Sequence, residues 1–498
     1  MSSYIAFDLG ASNGRCMVGQ FDGERLKLEE LHRFENRPIE LHGRLFWDIL
    51  GIYENVRLGL LKVGQNRPPD LVSLGVDTWG CDFALLDEQG KLVGNPYCYR
   101  DPQTSGMFEV AFRRVPKDEI FRQTGLQFME LNSLFQLLAM QVRDDPAYRI
   151  AATFLHIPDL IHYWLTGARV SEYTNASTSQ MLDAHTRDWA YPLIRDMGFP
   201  ERIFPPVVQP GTGLGKLRSA LVSEVSLDQV QVVATATHDT AAAIVAAPAG
   251  DAHFAYISSG TWALLGREID QPLVTEACLR YNITNEGGAF NKITLLRNIA
   301  NLWLIQECHR QWGLEGEALS WEQITRLADQ AQPFLAFLDP DDKAFLLPGN
   351  MPRKIQEYCQ RTHQAVPQDK SEIVRVALES LAMKYRYILE RVVALTDHPV
   401  EVVHIIGGGS RNWLLDQFSA NAMRAPVLAG PYEATIIGNI LVQMVSSGDL
   451  GSLVEARNLV RRSFPVEEFT PQDTDQWEEQ YQLFIERTGL PPNNAVNK

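Results

Sequence analysis

Apolar positions come in short blocks with polar punctuation. Tyr4-Ile5-Ala6-Phe7-Asp8-Leu9 reads as a buried strand that stops at Gly10, and Gly10-Ala11-Ser12-Asn13-Gly14 has the composition of a turn. Arg15 to Phe21 is then the returning strand, and Arg25 to Phe34 a third antiparallel one. From Trp47 to Val63 the spacing changes: Trp47, Leu50, Tyr53, Val56 and Leu60 share one helical face, with Asp48 in the first turn. Leu71 to Val76 is again a continuous apolar run and ends at Asp77. Strands, a helix and another strand predict an α/β layout.

The opening pattern returns at His253 to Gly266: strand, small polar turn, strand. Two copies so far apart suggest two similar halves rather than a short-period solenoid. Val230 to Ala234 is a strand, followed by His238-Asp239-Thr240 and an Ala-rich segment to Ala247. Ser371 to Leu395 predicts a long amphipathic helix, Val400 to Ile406 a strand, and Gly407-Gly408-Gly409 a turn before a helix near Arg411. Pro426 to Leu428 is a short strand and Glu433 to Val445 a last core helix; beyond Asp449 a terminal helix and tail are expected. These readings place one domain over 1–245 and a second over 246–498.

The chain has 498 residues with 45 Lys or Arg and 61 Asp or Glu, a net charge of −16, and 45% hydrophobic against 21% charged residues. That balance supports packed cores, and at about 150 residues per domain the length suits three domains or two large ones. The acidic excess repels phosphate backbones, so no nucleic-acid partner is expected, although a small phosphorylated ligand can bind locally. No stretch reaches the roughly 20 apolar residues of a membrane span, and Met1 to Ile5 shows no basic leader. A cytoplasmic location is expected. Cys16, Cys81, Cys98, Cys278, Cys308 and Cys359 lack CxxC spacing, so reduced thiols or incidental pairs are expected.

Candidate chemistry sits in the punctuation. The turn Ala11-Ser12-Asn13-Gly14 brings backbone N–H groups and a hydroxyl near an anion, and Arg15 adds a charge that bridges phosphate oxygens. Asp8, at a strand end, is placed for a hydrated Mg²⁺. An ordinary hairpin turn would read alike, but Ser258-Ser259-Gly260-Thr261 repeats the device, and two facing loops suit a nucleotide polyphosphate. Gly407-Gly408-Gly409 lets backbone pack flat against adenine or ribose, or is simply a tight turn. Neither GxGxxG nor GxxxxGK[ST] occurs. Asp239 is either a helix cap or a base for a sugar hydroxyl attacking a γ-phosphate. In Asp77-Thr78-Trp79-Gly80, Trp79 either offers a flat face to a sugar ring or fills the core, and Gly80 lets a hydroxyl reach backbone.

Taken together, Asp8 to Arg15, Asp77 to Gly80, Tyr99-Arg100-Asp101, Tyr173-Thr174-Asn175-Ala176, His238-Asp239-Thr240, Ser259 to Trp262 and Gly407 to Gly409 resemble, in order, the FGGY carbohydrate kinases. Asn282 to Gly288 and Asn298 to Gln306 resemble the branch acting on L-rhamnulose. The resemblance spans about residues 4 to 447. It implies two ribonuclease-H-like, actin-like α/β domains with a cleft between them that closes on MgATP and a ketose. It further implies transfer of the γ-phosphate to the 1-hydroxyl of L-rhamnulose. By motif position Asp239 is the base, with His238, Thr240, Gly80 and Asn298 around the sugar. Ala11, Ser12, Asn13, Gly14, Arg15, Thr261, Gln306 and Gly408 bind ATP, and Asp8 lies near Mg²⁺. Gln103 stands where many members have Arg, and Asn13 where Ser is common. Competing readings are a kinase of L-fuculose or L-xylulose, an actin-like ATP-binding regulator, and an inactive kinase.

Overall fold

The computed structural model describes residues 1–250, 253–317 and 319–492. The elements that place the site run as follows. β1 (Ser2–Leu9), β2 (Asn13–Phe21) and β3 (Leu26–Glu35) form an antiparallel meander, then α1 (Ile49–Asn66) leads into β4 (Leu71–Thr78). α2 (Tyr173–Ser177), β5 (Thr212–Lys216), β6 (Gln231–Ala234) and α3 (Asp239–Val245) follow. The second copy of the meander is β7 (Phe254–Ser259) and β8 (Trp262–Ile269), succeeded by β9 (Thr284–Gly287), β10 (Ile293–Ala300) and α4 (Trp303–Leu314). The 27-residue α5 (Lys370–Thr396) precedes β11 (Val402–Ile406), α6 (Trp413–Met423) and β12 (Val427–Ala429). α7 (Ala434–Ser447), α8 (Leu453–Ser463), β13 (Glu467–Phe469) and α9 (Thr474–Thr488) complete the set.

By internal contacts the chain divides into two units. The first holds Met1–Pro248, Glu268–Leu295 and Ala434–Ser463; the second holds Ala249–Arg267, Leu296–Glu433 and Phe464–Lys498. By these contacts the chain returns to the first unit twice after residue 248.

In the first unit a six-stranded sheet runs β5-β6-β4-β1-β2-β3. β1 is antiparallel to β2 and parallel to β4, and β6 is parallel to β4. Ile5, Phe7, Val18, Val56, Leu60, Leu74 and Val76 pack between sheet and α1. α1 begins at Ile49 with Asp48 as its cap, accepting from the Gly51 N–H at 3.0 Å. Trp47, expected inside the helix, precedes it and is buried because its indole N–H donates to Asp82 Oδ2 at 2.6 Å. β4 continues through Asp77 to Thr78, since β1 beside it still supplies pairing. α7 lies against α3, β1 and β4. Its Gly438 permits the crossing, for a Cβ there would lie 1.7 Å from the Ala242 carbonyl oxygen.

In the second unit β7 pairs antiparallel with β8 and parallel with β11, β11 parallel with β12, and β12 antiparallel with β13. β13 is a strand where the sequence predicts only a helix and tail; its residues, Glu-Glu-Phe, contain no apolar run to announce it. The expected tail lies, from 493, outside the described residues. All six cysteines are free and buried. Among the described residues no helix is long and apolar enough to cross a membrane.

Candidate active site

Three carboxylates of the first unit share one field. β1 and β4 lie side by side in register, so Asp8 stands next to Asp77, while across the hairpin Asp8 faces Arg15. The Arg15 guanidinium donates to Asp8 Oδ2 at 2.5 Å. Asp77 is fully buried. Its Oδ2 accepts from Asn439 Nδ2 at 2.6 Å, and its Oδ1 has no hydrogen-bond partner among the described residues. Burial, reinforced by the Asp8 charge, pushes Asp77 well above the usual carboxylate range. Asp239 opens α3. Burial and then the Asp8 charge push it up to about 7, although a third of its side chain still meets solvent.

Asp239 is the first helical residue, with His238 at the cap position, and its Oδ1 accepts from the Thr240 N–H at 2.6 Å. His238 lies between two carboxylates, Nε2 3.4 Å from Asp239 Oδ1 and Nδ1 3.6 Å from Glu286 Oε2. Burial lowers its affinity for a proton and Glu286 opposes that shift. A neutral imidazole here can donate or accept toward a hydroxyl.

Gly80 follows β4, and a Cβ on it would lie 3.0 Å from Thr178 Cγ2. The next residue, Cys81, holds a left-handed φ of 72°, so the chain turns sharply at this point. Trp79 belongs to the core: it is 5% exposed, its ring centroid lies 4.3 Å from that of Trp47, and its N–H donates to Asp82 Oδ2 at 2.9 Å. It braces the site from behind instead of presenting a face to a sugar, because the buried Asp82 holds both indoles inward. Asp82 also accepts from Gln136 Nε2 at 2.8 Å and the Tyr99 N–H at 3.1 Å. Gln103 occupies the departure from the family pattern and accepts from Arg44 Nη2 at 3.1 Å, beside the Arg44–Asp101 ion pair at 3.0 Å.

The turn at Ala11, Ser12 and Asn13 is partly open to solvent. It is braced by Asn36, whose Nδ2 donates to the Gly10 carbonyl at 2.8 Å and whose N–H donates to the Ser12 carbonyl at 3.1 Å. A Cβ on Gly14 would lie 2.1 Å from the tip of the half-buried Phe34 ring, which would have to swing aside.

The second unit gathers the other nucleotide candidates. Thr261 Oγ1 donates to Gln306 Oε1 at 3.1 Å. Asn301 Nδ2 donates to Ser259 Oγ and to the Gly260 carbonyl, both at 3.0 Å, and the Tyr385 hydroxyl holds Asn301 Oδ1 at 2.5 Å. The glycine turn packs on the same strand end: a Cβ on Gly409 would fall 2.0 Å from Ser259 Oγ. Of the three glycines, Gly408 alone looks onto open space, with nothing within 4 Å of where a Cβ would stand. Thr261, Gln306 and Gly408 thus share a neighbourhood, while Asn298, on β10, belongs to the second unit and Gly80, His238, Asp239 and Thr240 to the first.

Glu172, Asp82 and Glu286 hold positions that reading the sequence misses. Asp82 lies within the Trp79 motif, and Glu286 within Asn282 to Gly288. Glu172, directly before Tyr173, carries no signal of its own.

Family models match nearly the whole chain: the N-terminal domain of the FGGY family of carbohydrate kinases over residues 3–246, and its C-terminal domain over 255–447. A rhamnulokinase of Bacteroides thetaiotaomicron is 43% identical over 479 residues, covering 96% of this chain and 98% of that protein. One from Bacillus subtilis is 39% identical over 472 residues, covering 95% and 96%. In fold the chain is similar to the xylulose kinase of Lactobacillus acidophilus, with a TM-score of 0.80, 15% identity and 98% and 97% coverage. It is likewise similar to Plasmodium falciparum glycerol kinase with ADP, with a TM-score of 0.77, 16% identity and 99% coverage of both chains. With both domain models matched and full-length relatives well above 30% identity, the chain belongs to the FGGY family of carbohydrate kinases.

Proposed function

We propose that the protein transfers the γ-phosphate of ATP to the 1-hydroxyl of L-rhamnulose, with Asp239 as the base. The observation that carries the reading is Asp239 itself: a partly buried carboxylate at a helix start, raised to about 7, beside Asp8 and in contact with His238. A base with that affinity takes a hydroxyl proton near neutral pH. The names of the full-length relatives support the choice of sugar.

His238, Thr240 and Gly80 orient the ketose. The attacking oxygen gives its proton to Asp239 as it approaches the γ-phosphorus. Arg15 and the N–H groups of Ala11 to Gly14 hold the phosphates; Thr261, Gln306 and Gly408 hold the nucleoside side. The protein supplies position and charge rather than a covalent intermediate. Among the described residues there is no cluster of three or more metal-type ligands. Asp8, at the end of β1, would hold the Mg²⁺ that accompanies ATP, since a hydrated ion needs only one or two carboxylates from the protein. The chemistry the ion supplies when bound is neutralisation of charge on the phosphate oxygens.

The test is a panel of ketoses and polyols with ATP and Mg²⁺, reading ADP release and locating the product phosphate by NMR. L-rhamnulose is expected to give the highest kcat/KM and a 1-phosphate. Faster turnover of L-fuculose or L-xylulose, or ATP turnover indifferent to any sugar, overturns the reading. Asp239→Asn is expected to lower kcat by about 10²–10⁴-fold.

A further inference from the structure

The Tyr173-Thr174-Asn175-Ala176 motif has no place in the chemistry above, yet it packs directly on the loop that delivers the base. Glu172 is fully buried and caps α2. Its Oε1 accepts from the Thr174 N–H at 2.9 Å. Its Oε2 accepts from Thr174 Oγ1 at 2.5 Å, the Asn175 N–H at 3.3 Å, the Thr237 N–H at 3.1 Å and Thr237 Oγ1 at 2.6 Å. Five donors thus converge on one carboxylate, and among the described residues no Lys or Arg forms a salt bridge with it.

The same motif grips the loop twice more. Thr174 Oγ1 accepts the His238 N–H at 3.2 Å. Asn175 Nδ2 reaches the carbonyls of Trp79 at 3.4 Å and Thr237 at 3.3 Å. One clamp therefore fixes residues 237 and 238 against the Trp79-Gly80 turn, immediately before Asp239. α3 has no side-chain cap of its own, since His238 makes no capping bond. The N–H groups leading into it are held by Glu172 and Thr174 instead.

We infer that Glu172 is a positioning residue for phosphoryl transfer: through Thr237 and Thr174 its carboxylate sets the backbone from which Asp239 projects at the sugar. The inference rests on the assignment of Asp239 as base. A buried ion without a counter-charge is an expensive brace, and packing alone would be served as well by a neutral group. Burial disfavours its charge and raises its proton affinity, and the donors from Thr174 and Thr237 work against that shift. A glutamine amide would put its NH₂ against at least one backbone N–H, of Thr174 on one side or of Asn175 and Thr237 on the other, leaving at least one buried donor unmet. A displacement of about 1 Å at a reacting group is enough to cost about 10²-fold in rate.

The experiment compares Glu172→Gln, Thr237→Val and Thr237→Ser in the full chain. kcat is normalised to the fraction of molecules that bind ATP, and KM for ATP and thermal melting are recorded beside it. Glu172→Gln is expected to lose at least tenfold in normalised kcat with KM for ATP within twofold. Thr237→Val, which removes one donor at constant shape, is expected to lose three- to tenfold, and Thr237→Ser to restore most of that. Normalised kcat of Glu172→Gln within twofold of the parent overturns the inference. Should Glu172→Gln not fold, Thr237→Val decides: an unchanged kcat, or a loss that Thr237→Ser shares, overturns it. An Asp239→Asn enzyme that stays active breaks the base assignment beneath it. An inactive Asp239→Asn beside a fully active Glu172→Gln removes the clamp alone.

Discussion

At the scale of single residues, two adjacent glycines separate binding from folding. A Cβ on Gly408 meets nothing, so Gly408→Ala is expected to melt normally yet, if the nucleoside packs there as proposed, to raise KM for ATP. A Cβ on Gly409 meets Ser259 Oγ, so Gly409→Ala is expected to lower the melting temperature. Equal effects of the two on KM for ATP would show that the turn is only structural. Asp239 carries a pH prediction. Its proton affinity is raised to about 7 by burial and by Asp8, with Asp77 and His238 the other titratable groups facing it. As the proposed base it must be ionised, so kcat/KM is expected to fall about tenfold per unit below pH 7 and to level off above it. Stability takes the opposite sign. The unfolded carboxyl ionises near its ordinary value of 3.8, so holding this group charged in the folded state disfavours folding as pH rises from 3.8 to about 7. Asp239→Asn should therefore melt higher than the parent at pH 8, and by less at pH 5. Asp8 and Asp239 are legible in the sequence because each ends or begins an apolar run. Glu172 is not, because its five donors come from its own turn and from a loop 65 residues away. Trp79 is ambiguous for a related reason: only Trp47 and Asp82, fixed by folding, decide which way an indole points.

At the scale of elements, the helix crossing beneath the base is the sensitive joint. Gly438 on α7 lets the backbone of α3 approach so closely that a Cβ would lie 1.7 Å from the Ala242 carbonyl. Gly438→Ala is expected to destabilise the protein by about 1–3 kcal/mol or more, since backbone on both sides has to move. Because Asp239 opens α3, kcat should fall in the same variant. A melting curve and a turnover assay on one preparation check both, and an unchanged kcat would detach the crossing from the site. Gly313, in α4, has nothing near its Cβ position, and Gly313→Ala should gain about 0.5–1 kcal/mol as ordinary helix propensity. Both meanders, α3, α5 and α7 are readable from apolar period and glycine punctuation. β13 is not, since strand Glu467–Phe469 has two exposed glutamates and only Phe469 buried. Its existence depends on β12 offering an edge, which no local window contains.

At the scale of the whole molecule, the family's two halves are legible as a repeated motif, but the return of the chain is not. The first unit is completed by 434–463, and what that segment brings is core rather than trim. Ile436, Ile437, Ile440, Leu441 and Met444 are all fully buried. Gln443 Nε2 donates to the Ile5 carbonyl at 2.9 Å, Ser73 Oγ donates to Gln443 Oε1 at 2.7 Å, and Asn439 Nδ2 donates to the Asp77 carboxylate at 2.6 Å. On α8, Arg457 Nη2 donates to the Ile244 carbonyl at 3.2 Å, near the end of α3. At about 1.5–3 kcal/mol for each large apolar side chain, removing this segment forfeits on the order of 10 kcal/mol. That equals the whole stability of an ordinary domain, about 5–15 kcal/mol. It also strands the buried Asp77 carboxylate. A fragment of residues 1–248 is therefore expected to lack a cooperative thermal transition, even though it contains every strand of the first sheet. Adding 434–463, joined through a long Gly/Ser linker, should restore one. Adding 268–295 in the same way should not, because that segment leaves the face over β1 and β4 uncovered. Circular dichroism melting of the three chains separates the outcomes. Cooperative unfolding of 1–248 by itself would mean that α7 packs on a domain already formed, and Asp77 would then need another explanation for the bond it receives from Asn439.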